Sequence, residues 1–233
     1  MGYGLAVFAA ALIALALSVE TFGALMRSIG ALNDRPAVGY STHVRIATVG
    51  RIFTLVGTPA IGILVDRYNS SPLVLFAGAM TFLFASVLHA CLFLLPVFFE
   101  SMASRLFFAI NGGRPDKMMI GVIKDKGGYT RLRFFSLLTI SIQSGGLFFV
   151  NYFAATYPGY RATIVQMAGW LTFMGTVCHI FFVDPVLADG CDKRTDAKSV
   201  VFWYLNGRML GSLINFVLIT SLYFWLGGKC ASL

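Results

Sequence analysis

The chain contains 233 residues, of which 58% are hydrophobic and only 12% are charged. Soluble domains carry about 25% charged residues, so this chain has too few polar side chains to cover a water-exposed globule. The composition predicts an integral membrane protein. It excludes a disordered chain, a collagen-like chain and a disulfide scaffold, because apolar residues dominate, the 24 glycines have no period and the four cysteines are scattered.

Six apolar runs are long enough to cross a bilayer as helices, for which about 20 residues are needed. Pro36 and Pro72 stand at the start of two runs, where a missing N–H group is tolerated, and Pro158 separates two others. The first run is too long for the apolar core of a signal peptide, so we expect it to remain as a span. The sequence predicts an all-α protein with a single six-span membrane domain over residues 1–233, with spans at about 3–32, 37–65, 73–99, 134–157, 162–183 and 199–226.

Lysine and arginine are distributed unevenly between the two sides of these spans. The 33–36, 100–133 and 184–198 connections hold eleven of them, whereas the other connections and the termini hold three. The positive-inside rule places the first set in the cytoplasm and both termini outside. In the basic 100–133 loop, residues 115–128 have the pattern of a short interfacial helix, with a solvated loop as the alternative. Because these cations lie beside spans, they indicate membrane lipid as a partner and no nucleic acid.

Three spans contain charged side chains, which are rare inside a bilayer. An arginine at the centre of a spanning helix costs about 2.5–3.5 kcal/mol on insertion scales, so each needs a partner or water. Glu20 and Arg27 share one helix face with two glycines, which would let a neighbouring helix approach closely. The pattern predicts an internal polar cavity. The candidate residues of this cavity are Glu20, Arg27, Arg45, Arg51, Asn206, Arg208 and Asn215.

The charges of this predicted cavity do not balance. If Glu20 pairs with one arginine, a surplus of about three positive charges remains, because arginine stays protonated in proteins. Guanidinium groups fork onto phosphate oxygens, so the surplus predicts a binding site for a phosphate or diphosphate group within the bilayer. The alternative is a structural brace between Glu20 and an arginine, with the other arginines reaching back to the membrane surface.

The sequence contains no constellation typical of an enzyme, a metal site or a cofactor site. Beyond Glu20 the carboxylates lie at span ends or in connections, and those from Asp184 to Asp196 are interleaved with cations like a solvated turn. The three histidines stand on separate spans, where a lone histidine is usually a hydrogen-bonded core residue. We therefore expect no catalytic residue, no metal and no cofactor.

The 100–133 loop divides the six spans into two groups of three. Such halves would have opposite orientations in the membrane, as in inverted-repeat transporters. Val65-Asp66 and Val183-Asp184 end corresponding spans of the two halves. This two-residue similarity is compatible with a 3+3 inverted repeat but is too short to establish one.

Several short motifs carry a resemblance to a known family over nearly the whole chain. They are Glu20-Thr21 followed by Arg27-x-x-Gly30, Arg51 with Pro59 beyond it, Pro158-x-Tyr160-Arg161-Ala162-Thr163, Phe182-Val183-Asp184-Pro185 and Arg208-x-x-Gly211. In their order and spacing these motifs resemble the Amj family of lipid II flippases, an alternate to MurJ. His43 and Arg45 stand where members of that family look more apolar.

The resemblance implies a multi-pass protein of the bacterial cytoplasmic (inner) membrane that moves lipid II, or a related undecaprenyl diphosphate lipid, from the inner to the outer leaflet. It implies that the four intramembrane arginines receive the diphosphate, that Glu20 holds one of them, and that the two asparagines bind sugar or peptide. A large head group between short connections is compatible with a homodimer. A transporter or enzyme acting on another phosphate-containing lipid, and a membrane scaffold that transports nothing, remain as alternatives. The energy source stays open.

Overall fold

The computed structural model describes residues 1–113, 129–193 and 196–230, with side chains as far as residue 226. Within these ranges the chain is helical and contains no strand. Two π-helical turns, Ser141–Gly145 and His179–Val183, join α5 to α6 and α7 to α8, and a 3₁₀ turn, Pro158–Tyr160, precedes α7. The α-helices of the described residues are α1 (Gly2–Leu32), α2 (Pro36–Asp66), α3 (Ser71–Leu94), α4 (Pro96–Asn111), α5 (Thr130–Ile140), α6 (Gly146–Thr156), α7 (Arg161–Cys178), α8 (Asp184–Asp192) and α9 (Ala197–Cys230).

The predicted all-α architecture with six potential spans is confirmed. Each of six helical stretches is long and apolar enough to cross a membrane. Because α5 and α6 run through the first π turn, and α7 and α8 through the second, each of these pairs forms one span. The spans are Gly2–Leu32, Pro36–Asp66, Ser71–Leu94, Thr130–Thr156, Pro158–Asp192 and Ala197–Leu226.

Three spans differ from their predicted bounds by four residues or more. The fourth begins at Thr130 rather than at 134. The third ends at Leu94 rather than at 99, because Pro96 has no N–H group to continue the helix and begins α4 instead. The start of the predicted 100–133 loop is therefore helical. The fifth span continues to Asp192 rather than ending at 183. The interfacial segment predicted at residues 115–128 lies outside the described residues.

The first helix is the centre of the fold, because α1 packs along α2 and also contacts α3, α4, α8 and α9. The crossing of α1 and α2 is tightest beside their connection. A Cβ atom on Gly30 would lie 2.5 Å from the Cα atom of Gly39, and one on Gly39 would lie 2.7 Å from the Met26 carbonyl oxygen. The prediction that Gly30 allows close helix approach is therefore confirmed.

Replacing Gly30 with alanine is expected to destabilise the protein by about 1–3 kcal/mol, because the added methyl group meets backbone that cannot move aside. The matched control is Gly62→Ala on α2, where a Cβ atom would meet nothing within 4 Å. Alanine at this helical position should hold or raise stability. Thermal unfolding of the purified variants in detergent measures both effects, and equal Tm values would contradict the close crossing.

The buried apolar side chains form two clusters at different levels of α1. One includes Leu17 of α1 and Phe82 of α3. The other includes Ala24 of α1 and Phe107 of α4. Residues 18–21 lie between these clusters and include three polar side chains. Because the midpoint of a 31-residue helix falls near residue 17, this polar layer lies close to the middle of the span.

The predicted orientation can be tested at two exposed positions on opposite sides. In a cysteine-free chain, an impermeant maleimide should label Gly159→Cys in intact cells whose outer envelope has been opened, and should spare Asp189→Cys. Both residues are exposed, and neither change removes a basic side chain from a connection. Permeabilising the membrane should make the second position reactive. Labelling of Asp189→Cys but not of Gly159→Cys in intact cells would show that the orientation is opposite to the predicted one.

Candidate functional site

Arg208 of α9 is the largest fully buried side chain among the described residues. Its Nη2 atom lies 3.2 Å from Oε1 of Glu20 on α1, and its Nε group donates to Oγ1 of Thr21 at 3.2 Å. The guanidinium also lies 5.8 Å from the centre of the Tyr204 ring. Glu20 itself keeps 35% of its side chain exposed. The arginine that pairs with Glu20 is therefore Arg208, and the pair joins α1 to α9 at the polar layer.

Arg27 forms a second buried ion pair about two turns further along α1 than Glu20. Its Nη2 group donates to Oδ1 of Asp184 at 2.7 Å, and its guanidinium lies 4.7 Å from the centre of the Tyr40 ring. The Nε2 atom of His179 lies 3.6 Å from the same carboxylate oxygen. The expectation that Asp184 belongs to a solvated turn is wrong. The fifth span continues past residue 183, which places Asp184 against α1 rather than beyond the helix end.

A buried hydrogen-bond chain supports Arg208 from behind. The hydroxyl of Thr21 donates to the Leu17 carbonyl at 2.7 Å, so its oxygen accepts from both Arg208 and Nε2 of His89, the latter at 3.0 Å. This arrangement assigns the His89 proton to Nε2, which leaves Nδ1 to accept from the Ser212 hydroxyl at 2.9 Å. His89 is thus a hydrogen-bonded core residue, as expected for a lone histidine in a span.

Arg51 and Arg45 differ from the other two candidate arginines because both are exposed. Neither forms an ion pair within the described parts of the chain. Arg51 lies 15 residues from the start of the 31-residue α2, close to its midpoint, and interacts electrostatically with Glu20. Arg45 lies about 120° around the helix from Arg51. Gly50 of α2 packs against Val19 of α1, so Arg51 and Glu20, each one residue further along its helix, lie at nearly the same level.

Glu20 is partly exposed, and we call the region beside it, between α2 and the π turn after α7, the α2–α7 cleft. It is defined by Glu20 on α1, Arg51 on α2 and His179 in the π turn after α7. Both Arg51 and His179 act on the Glu20 carboxylate electrostatically. Along α7 the only buried residue is Gly175, so this helix leaves most of its surface open to lipid or to the cleft.

Several donors around this cleft are buried without a hydrogen-bond partner in the described structure. They include both terminal nitrogens of Arg208, because its contact with Glu20 does not have hydrogen-bond geometry. Nε of Arg27 and Nδ1 of His43 are also unpaired. These atoms are enclosed by the protein, so a ligand could reach them only if the surrounding helices moved apart.

The two predicted asparagines have different surroundings. Asn215 is buried, and its Nδ2 group donates to Ser141 Oγ at 3.1 Å and to the Gly211 carbonyl at 2.8 Å. It therefore anchors the first π turn to α9, and its amide donors are occupied. The buried Oδ1 atom of Asn206 has no hydrogen-bond partner in the described structure, although the residue as a whole is partly exposed.

One end of the cleft is tied by Arg161 at the start of α7. Its Nη1 and Nη2 groups donate to Asp66 Oδ1 at 3.2 Å and to Asn69 Oδ1 at 2.6 Å, and its Nε group donates to the Ala154 carbonyl at 3.3 Å. These contacts join the end of α2 to the start of α7. The Arg27–Asp184 pair joins α1 to α8 towards the opposite end of the fifth span.

The charge balance differs from the sequence expectation because of Asp184. Four intramembrane arginines face two carboxylates, Glu20 and Asp184, which leaves a surplus of two positive charges rather than three. The surplus lies on α2, at Arg45 and Arg51. Among residues 1–113, 129–193 and 196–230, no group of three His, Cys, Asp or Glu side chains could hold a metal ion.

Comparison of the chain with protein-family models, with curated proteins and with solved structures gave no match.

Proposed function

We propose that this protein is a flippase that moves a polyprenyl diphosphate lipid of the lipid II class between the leaflets of the bacterial cytoplasmic membrane. The observation that carries the proposal is the exposed, unpaired Arg51 at the middle of a spanning helix, beside Glu20. The resemblance of the sequence to Amj-type lipid II flippases supports the same substrate class.

A guanidinium group at this depth cannot face hydrocarbon without a large penalty. Arg51 lies about 22 Å along α2, at about 1.5 Å per residue, which is too far from either helix end for its side chain to reach the membrane surface. It must therefore face water or an anion in the α2–α7 cleft. A diphosphate is suited to this position, because arginine binds phosphate oxygens through two parallel hydrogen bonds.

The cleft also suits a lipid whose head group is polar and whose tail is apolar. The head group of a polyprenyl diphosphate cannot cross hydrocarbon unaided, because its charges would lose their hydration. A cleft that opens sideways needs to accommodate only the head group while the tail stays in lipid. The exposed apolar side chains of α7, among them Trp170 and Phe173, provide such a lipid-facing wall.

Arg45 would act before Arg51 on the path from the cytoplasmic side. In the predicted orientation it lies six residues, or about 9 Å, closer to the cytoplasmic end of α2. An anion arriving from the inner leaflet would therefore meet Arg45 first. Asn206 is partly exposed, whereas Asn215 is buried with its donors occupied, so Asn206 is the asparagine suited to a sugar or peptide group.

To expose the cleft first to one side of the membrane and then to the other, the contacts that close its two ends would have to open in turn. In the predicted orientation, Arg161 with Asp66 and Asn69 closes the outer end, whereas Arg27 with Asp184 and Tyr40 closes the inner end. Each tie joins the first or second span to the fifth. Opening one tie while the other holds would tilt these spans about the site, as in rocking transporters.

The proposal can be tested in bacteria from which the resident lipid II flippases have been depleted. Expression of this chain should restore growth and prevent accumulation of lipid II in the inner leaflet. Arg67→Ala, which removes an exposed arginine beyond the end of α2, should restore growth equally well. Failure of the normally expressed, membrane-inserted chain to restore growth or to reduce the accumulation would contradict the proposal.

A further inference from the structure

Glu20 is the one carboxylate of the described residues that lies in the polar layer, and it has an unusual combination of contacts. Its partner Arg208 is completely buried, whereas 35% of the Glu20 side chain is exposed. The contact between them is an ion pair without hydrogen-bond geometry. No hydrogen bond to Glu20 is found within the described ranges, so a proton can reach its carboxylate from the cleft without displacing a donor.

The charged and titratable groups around Glu20 come from every element that packs beside it. Arg208 and Tyr204 lie on α9, His43 and Arg51 on α2, and His179 follows α7. Behind them, Arg27 and Asp184 neutralise each other, and both ring nitrogens of His89 on α3 are hydrogen-bonded. Glu20 is thus the carboxylate among these groups that faces the cleft without a hydrogen bond.

We propose that Glu20 takes up one proton when a diphosphate lipid binds in the α2–α7 cleft. This inference rests on the proposed function and identifies the residue through which diphosphate binding depends on pH. A diphosphate held by Arg51 brings two or more negative charges close to the Glu20 carboxylate. In an enclosed cleft such like charges repel strongly, and the repulsion disappears when the carboxylate binds a proton from the water in the cleft.

Linkage makes the effect reciprocal. If the diphosphate favours the protonated form of Glu20, then protonation of Glu20 must strengthen diphosphate binding by the same factor. In the empty protein the Glu20 carboxylate is the ion-pair partner of the buried Arg208 guanidinium, at 3.2 Å. Binding should therefore weaken as the pH rises, and replacement of Glu20 by glutamine should remove this dependence.

The full chain in lipid nanodiscs can be tested with farnesyl diphosphate, a water-soluble probe that carries the same diphosphate group. Titration calorimetry in buffers of different ionisation enthalpy counts the protons taken up on binding. The wild type should take up about one more proton than Glu20→Gln, and at pH 8 the variant should bind the probe about tenfold more tightly. His179→Gln tests whether this histidine of the cleft takes up the proton instead of Glu20. His43→Gln, which changes a histidine buried against Gly23, is the control and should retain the wild-type uptake.

The outcomes separate this inference from the proposed function. If farnesyl diphosphate binds but Glu20→Gln takes up as many protons as the wild type, with the same affinity at pH 8, the proton linkage at Glu20 is wrong. Loss of the uptake in His179→Gln instead would also overturn it, because the proton would then bind at the histidine. If neither the wild type nor Glu20→Gln binds the probe, both the inference and the proposed function fail.

Discussion

Replacing Arg208 with methionine is expected to lower the free energy of unfolding by about 1–3 kcal/mol, because the change leaves the Glu20 carboxylate, which is 35% exposed, without its buried partner. The same change removes the donor to Thr21 from a hydrogen-bond chain that includes His89 and Ser212. The fraction of folded, monodisperse protein after purification in detergent should fall sharply, and the Tm should fall with it.

The double variant Glu20→Gln with Arg208→Met separates the lost charge balance from lost packing. Removing both charges should recover most of the stability, since a neutral pair leaves no uncompensated ion. Arg45→Met is the matched control, because Arg45 is exposed and unpaired in the described structure, and its loss should leave the Tm nearly unchanged. Equal stability of Arg208→Met and Arg45→Met would contradict the buried ion pair.

Replacing Arg51 with alanine is expected to slow leaflet exchange of a diphosphate lipid by about 10- to 100-fold while leaving the fold intact. A hydrogen bond to a charged group contributes about 1.5–3 kcal/mol, and each 1.4 kcal/mol corresponds to a tenfold change. Arg51 is exposed and forms no ion pair in the described residues, so its loss should not disturb packing. The exchange rate of a fluorescent polyprenyl diphosphate in liposomes containing the purified variant measures the effect.

Two further variants show whether the contribution of Arg51 to the exchange rate depends on its position and on the paired N–H donors of its guanidinium group. Arg51→Lys should retain part of the rate, because lysine keeps the charge but not the paired donors. Arg67→Ala should exchange lipid at the wild-type rate, because Arg67 lies beyond the mid-span region of α2. If well-folded Arg51→Ala exchanged lipid at the wild-type rate, the proposal that Arg51 binds the diphosphate would be contradicted.

The helical architecture was predictable because each span can be recognised from its own local sequence. About 20 consecutive apolar residues suffice to indicate a crossing helix, and prolines mark where helices begin. The pairing of Glu20 with an arginine followed from the cost of an isolated charge in hydrocarbon. Likewise, Gly30 was expected to allow a close crossing, because it lies on the polar face of α1 and has no side chain.

The pairing of Arg27 with Asp184 could not be predicted, because it depends on where the fifth span ends. The sequence around Asp184 reads as a turn, and the π turn His179–Val183 that keeps it within the span leaves no clear sequence signal. A proline two residues beyond the apolar run, at Pro185, was compatible with a helix start as well as with a helix end. Whether the fifth span continues through residues 179–183 depends on its packing against α1. The local sequence pattern contains no information about that packing.

The grouping of the four arginines could be predicted only in part. Helical spacing showed that Arg45 and Arg51 lie about 120° apart on α2, but it could not say which of them faces Glu20. That depends on how α2 is rotated against α1, and the rotation is set by the contacts of Gly39, His43 and Gly50 with α1. The 3+3 inverted repeat and the side of the membrane on which the termini lie stay predictions.

Leaflet exchange by the purified protein in liposomes, scored for head-group selectivity, tests the central claim most directly. Two fluorescent lipids with the same undecaprenyl tail should be compared, one with a diphosphate-linked head group and one with a neutral head group. The protein should accelerate exchange of the diphosphate lipid well above protein-free liposomes and have little effect on the neutral one. Equal acceleration of both lipids, or none of either, would contradict a cationic site that recognises diphosphate.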